Sequence, residues 1–89
     1  MKKQYGVLLK DDSIIAEDIP IHYQCKSDLI SQLNEWDGFL SLDSDKFISP
    51  GDYQLLFTDG KTGEIIIRKI KRNSFGKVIA YFLGNGPLE

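Results

Sequence analysis

Gly60-Lys61-Thr62 has the form of the tail of a phosphate-binding loop, and it lies in the stretch 57–65, FTDGKTGEI. Such a loop needs Gly-x-x-x-x-Gly-Lys-Thr, because its glycines let backbone N–H groups wrap the phosphates and a helix must open at the lysine. Counting back from Gly60, the first glycine belongs at position 55, which is Leu55. Thr62 is followed by Gly63 and a β-branched run, a poor helix start. The stretch reads instead as a β-hairpin, with Asp59-Gly60 as the turn pair and Gly63 as a left-handed bulge residue.

Three other constellations could carry chemistry. Asp43, Asp45 and Asp52 suggest calcium, but Phe47 and Ile48 stand where an EF-hand loop needs an oxygen ligand and a glycine, so a solvated acidic loop is expected. His22 and Cys25 could form a nucleophilic pair, yet three residues apart on a strand they point to opposite faces. Cys25 shares its parity with Ile21 and Tyr23 and is expected to be a buried, inert thiol, with His22 on the surface. The single cysteine and single histidine fall short of a structural zinc site and exclude an internal disulfide. Catalytic residues, metals and cofactors are therefore not expected.

The third constellation is basic. Residues 1–60 hold five Lys/Arg and eleven Asp/Glu, a balance of −6, whereas residues 61–89 hold six and two, a balance of +4. Arg68, Lys69, Lys71, Arg72 and Lys77, with Lys61, Phe75 and Tyr81 nearby, could form a face for single-stranded nucleic acid. The net charge of −2 argues against it, and cations that keep a hairpin soluble are the simpler reading.

The elements that must position these residues are strands. Tyr5, Val7 and Leu9 share one face of a first strand, and Asp11-Asp12-Ser13 is a turn. Ile19, Ile21, Tyr23 and Cys25 alternate in a second run that Pro20 bends or confines to an edge. Residues 27–36, SDLISQLNEW, break the alternation. Leu29, Ile30, Leu33 and Trp36 fit a helical face with Ser27 as N-cap, so this segment is a short helix or a loop. Trp36, Gly38, Leu40 and Leu42 alternate next, then Tyr53, Leu55 and Phe57, then the run from Ile65 to Ile70. A last strand runs from Val78 to Leu83. About six strands at this spacing predict an all-β fold, a small antiparallel barrel or compact sandwich, in one domain spanning 1–89.

The last strand is apolar on both parities: Val78, Ala80 and Phe82 on one, Ile79, Tyr81 and Leu83 on the other. Phe39 poses the same problem against Leu40 and Leu42. A single-sided sheet needs one polar face. Either the 27–36 segment covers Phe39, Ile79, Tyr81 and Leu83, or these form an interaction patch.

Gly51-Asp52-Tyr53-x-Leu55, Asp59-Gly60-Lys61-x-Gly63-x-Ile65 and Phe82-x-Gly84-x-Gly86-Pro87-Leu88 resemble a pattern in a group of small bacterial proteins. The resemblance covers the C-terminal forty residues, implies a bacterial, all-β origin and brings no activity or site residues. The basic start Met1-Lys2-Lys3 lacks the apolar run of a signal peptide, and no segment has the length of a membrane span, so a cytoplasmic protein is expected. The expectation for function is a non-catalytic protein-interaction module, with a protein partner or a second copy on the Phe39 patch. Single-stranded nucleic acid is the alternative and a hydrolase the least expected.

Overall fold

The computed structural model describes residues 1–27, 34–43, 45, 47–73, 75–86 and 88. Six strands run β1 (Lys2–Lys10), β2 (Ser13–Ser27), β3 (Asn34–Asp43), β4 (Gly51–Phe57), β5 (Thr62–Arg72) and β6 (Lys77–Gly84). They close into a barrel in the order β1-β2-β3-β6-β5-β4, every pair antiparallel. Two three-stranded meanders are thus joined twice, through β3 with β6 and through β1 with β4. The fold is the small antiparallel barrel that the alternation predicts. Among the described residues none is helical, and no helix is long and apolar enough to cross a membrane.

Closure decides which parity faces inward. Ile19, Ile21 and Tyr23 of β2, Trp36, Leu40 and Leu42 of β3, and Tyr53, Leu55 and Phe57 of β4 enter the core as their alternation indicates. In β1 the face that carries more apolar bulk turns outward. Gly6 and Leu8 point in, while Tyr5, Val7 and Leu9 share the outer face. Gly6 is the reason: a Cβ there would lie 2.6 Å from the Leu56 carbonyl oxygen and 2.9 Å from the Ile21 side chain. Only glycine lets the wall pass that close to its own core.

β2 is irregular where Pro20 predicts a bend. Its register with β1 slips twice, between Gly6 and Leu8 and between Leu8 and Leu9, and Asp18 takes a left-handed φ of 51°. The β2–β3 ladder begins only at Ile21↔Leu40. The first half of β2 pairs with β1 but not with β3, and bulges and proline are features that keep such an edge from templating a further strand.

The helix read over 27–36 is corrected at both ends. Ser27 pairs with Asn34, Lys26 with Glu35 and Cys25 with Trp36, so the supposed N-cap and the last residue of the helical face belong to strands. Residues 28–33, with Leu29, Ile30 and Leu33, lie outside the described residues. Cys25 is corrected as well: it shares the inward parity but is exposed. It sits near the end of β2, two residues past the buried Tyr23.

Trp36 plugs that end of the barrel. It is 4% exposed and meets Tyr23, Phe57 and Phe82 at centroid distances of 6.5, 6.4 and 5.6 Å. Its indole Nε1–H donates to the Gly86 carbonyl at 2.9 Å. The ring lies flat against Gly63 and Gly84: a Cβ on Gly63 would stand 2.6 Å from Cζ2, and one on Gly84 would overlap Nε1 and its ring neighbours. Gly84→Ala should therefore cost about 2 kcal/mol of unfolding free energy by overpacking. Urea denaturation tests this, and in a Trp36→Leu background the same change should cost much less. Equal costs in both backgrounds would rule out the ring contact as the cause.

Candidate functional site

The turn at 57–61 is a three-residue hairpin loop. Gly60 N–H donates to the Phe57 carbonyl at 3.0 Å, Phe57 N–H to the Lys61 carbonyl at 2.8 Å, and Gly60 takes a φ of 93°. The left-handed bulge residue is therefore Gly60. Gly63, expected in that role, is a buried strand residue beneath Trp36. Asp59 organises the loop: its Oδ1 accepts the Lys61 N–H at 3.0 Å, and its Oδ2 accepts from Gln4 Nε2 at 3.1 Å. The same Gln4 nitrogen donates to the Tyr23 hydroxyl at 3.1 Å. These bonds, led by the Lys61 N–H, hold the Asp59 carboxyl below its ordinary pKa, while burial pushes the Tyr23 phenol up. The sequence that resembled a nucleotide grip is a turn tied to the barrel end.

The other chemistry-bearing residues are dispersed. Asp43, at the end of β3, accepts from Lys77 Nζ at 2.6 Å, and Asp52 lies on β4 with its carbonyl accepting from Lys10 Nζ at 3.0 Å. Among the described residues no three His, Cys, Asp or Glu side chains are grouped for a metal. His22 points out of the barrel, away from the Cys25 parity, and stacks on Phe39 at 4.7 Å and 14°. A concavity of about 470 Å³ runs along the outside of β4 and β5 past Gln54, Thr62 and Glu64, and the described residues of its wall include no cation, histidine or thiol.

What the fold does assemble is the outer face of β2, β3, β6 and β5. Registers place Lys3, His22, Phe39, Tyr81 and Lys69 side by side on five consecutive strands. Phe39 and Tyr81 approach to 5.9 Å between centroids. Ile79 lies opposite Ser41 and Lys71 in the same wall, and Leu83 lies between Asp37 and Ile66. Phe39, Ile79, Tyr81 and Leu83 are therefore one contiguous patch on the outside of the barrel. Val78, Ala80 and Phe82 fill the inside. Tyr81 and Leu83 remain 39% and 43% exposed, so this part of the face is open.

The basic cluster is split by the same geometry. Lys61 sits at the hairpin tip, 4.0 Å from Asp59, one strand length from Arg72. Arg72 lies 6.0 Å from the Phe47 ring, Lys77 is paired with Asp43, and Phe75 stands exposed in the β5–β6 turn. Arg68, Lys69 and Lys71 border the aromatic row, so part of the basic set and the apolar patch form one surface. Sequence reading missed His22 and Lys3 as members of this row, because their neighbours come from other strands. A signal for His22 existed, since it opposes the inward parity of Ile21 and Tyr23.

The chain matches no protein-family model, no curated protein and no solved structure. One test concerns the hairpin at the barrel end. A carboxyl with a depressed folded pKa stabilises the fold above its unfolded pKa and loses that contribution as pH falls through the folded value. Asp59→Asn should accordingly weaken the protein at pH 7, and the difference from wild type should shrink under acid. Urea titrations of both proteins at neutral and acidic pH measure it; a difference that stays constant would remove the ionised carboxylate from the account.

Proposed function

We propose that this barrel is a non-catalytic protein-interaction module that docks its partner on the outer face of β3 and β6. The observation that carries this reading is that Phe39, Ile79, Tyr81 and Leu83 form a continuous apolar surface outside a barrel whose core is already filled. Their burial inside the chain would add nothing to the core, and exposed apolar area costs solubility. Apolar surface of this kind, with aromatic anchors and a charged rim, has the anatomy of a docking patch. His22 supports the non-catalytic reading, since its ring is packed against Phe39 and far in orientation from the only thiol.

Single-stranded nucleic acid is favoured by one observation, the pairing of Lys69 with Tyr81. Two others weigh against it. His22 and Phe39 already spend ring faces on each other, which leaves fewer for bases. Asp37 and Asp52 flank the row through Leu83 and Ile66, opposing a continuous chain of phosphates.

Photo-crosslinking in the native cells tests the docking reading. With p-benzoylphenylalanine in place of Tyr81, a discrete protein adduct is expected, and it should vanish when Phe39 and Leu83 are both changed to Ser. The same probe at Gln54, on the outside of β4, should give no such adduct. An adduct of two copies would identify the partner as the protein itself. Identical adducts from both positions, or none from position 81, would sink the proposal.

A further inference from the structure

We infer that the partner presents an acidic segment whose aromatic or branched apolar side chain enters a hollow beside Arg68, with its carboxylates on Arg68 and Lys69. This deepens the docking reading above and rests on it. The hollow holds about 280 Å³ and is lined by Arg68, Tyr81, Phe82 and Leu83.

A β-bulge builds it. The β5–β6 register runs Ile66↔Leu83, Ile67↔Phe82 and then Lys69↔Tyr81, leaving Arg68 as the extra residue. In a regular strand two consecutive residues point to opposite faces. Here Ile67 is buried and Ile70 packs on the core, while Arg68 and Lys69 are both exposed. The bulge thus turns two adjacent cations onto one surface, the re-aiming that bulges commonly perform. Lys71 continues the cationic border two residues on, opposite Ile79. Among the described residues Arg68, Lys69 and Lys71 form no ion pair, in contrast to Lys61 and Lys77.

The charge pattern selects the occupant. Carboxylates fit the β5 border, and a guanidinium beside an apolar hollow lets one ligand place an apolar group and an anion together. Asp37, which accepts from Gln24 Nε2 at 3.0 Å, and Asp52 flank the Leu83–Ile66 pair, one from β3 and the other from β4. A face with two adjacent cations at the bulge and single carboxylates flanking it suits a polypeptide with discrete charges better than a phosphodiester chain.

The test is an amide-shift titration of isotope-labelled protein with a short glutamate-rich peptide bearing one central tryptophan. Controls are the same peptide with Ala for Trp, with Lys for Glu, and an oligothymidylate of similar length. Saturable shifts are expected at Arg68, Lys69, Tyr81 and Leu83. Affinity should fall about tenfold on Arg68→Glu or on loss of the tryptophan, and further as salt is raised. Arg68 is exposed, so the variant should keep the wild-type spectrum. Failure of the peptide to bind, tighter binding of the oligothymidylate, or indifference to Arg68→Glu would each overturn the inference, as would equal shifts produced merely by concentrating the protein. A position-81 adduct without peptide binding would leave the docking face standing and remove only its acidic ligand; loss of both would remove both.

Discussion

The packing of Trp36 on Gly63 and Gly84 is the contact on which the rest of this molecule depends. It brings β3, β5 and β6 together at one point, and the indole bond to the Gly86 carbonyl adds the segment after β6. With the ring seated, β3 meets β6 in the register Gly38↔Phe82 and Leu40↔Ala80. A slip of one residue would turn Leu40 and Leu42 outward and Phe39 inward, exchanging core for surface throughout the pair. The two glycines are thus constraints of volume, and the tryptophan they admit fixes which residues form the outer face.

From that register the outer row follows without any further device. Phe39 falls beside Tyr81 because Leu40 falls beside Ala80, and His22 falls beside Phe39 because Ile21 meets Leu40. The irregularity next to this row is the bulge at Arg68 on β5. A barrel must bend its strands to close, and bulges are an ordinary means of doing so. Here the bend also carries a chemical consequence, since it converts a residue due to point inward into a second surface cation. Closure and surface chemistry are coupled at this position.

Much of the architecture was legible in the alternation, and the exceptions have physical causes. Strand β4 was readable because one parity is large and apolar, β3 and β6 because their apolar runs are bounded by turn residues, and the Asp59-Gly60 turn because its residues suit a tight loop. In β1 the shared face of Tyr5, Val7 and Leu9 was legible but not its direction, since a sequence does not reveal which parity a closed wall will turn inward. Gly6 was the missed clue. Cys25 misled because parity ignores where the core stops along a strand. Gly63 was assigned to a turn when its absent side chain is needed by Trp36, twenty-seven residues earlier. The face itself was half legible: Phe39, Ile79, Tyr81 and Leu83 stood out as apolar residues on the wrong parity. That the basic hairpin borders them depends on strand order, which no local pattern carries.

An apolar outer wall raises the question of why the barrel tolerates it. Its centre is aromatic, and His22, Phe39 and Tyr81 shield one another by ring contacts that reduce exposed area before any partner arrives. Its borders are charged, with Lys3 on β1 and Arg68, Lys69 and Lys71 on β5, so sheet-like stacking of many copies meets like charge at the edges. Because the barrel is closed, the backbone between these rows is already paired and offers no edge for fibril growth. Specificity then has to come from side chains. The cations at the bulge and the carboxylates of Asp37 and Asp52 that flank the Leu83–Ile66 pair set the charge pattern a ligand of this face would have to match, and one unbroken line of negative charge does not match it.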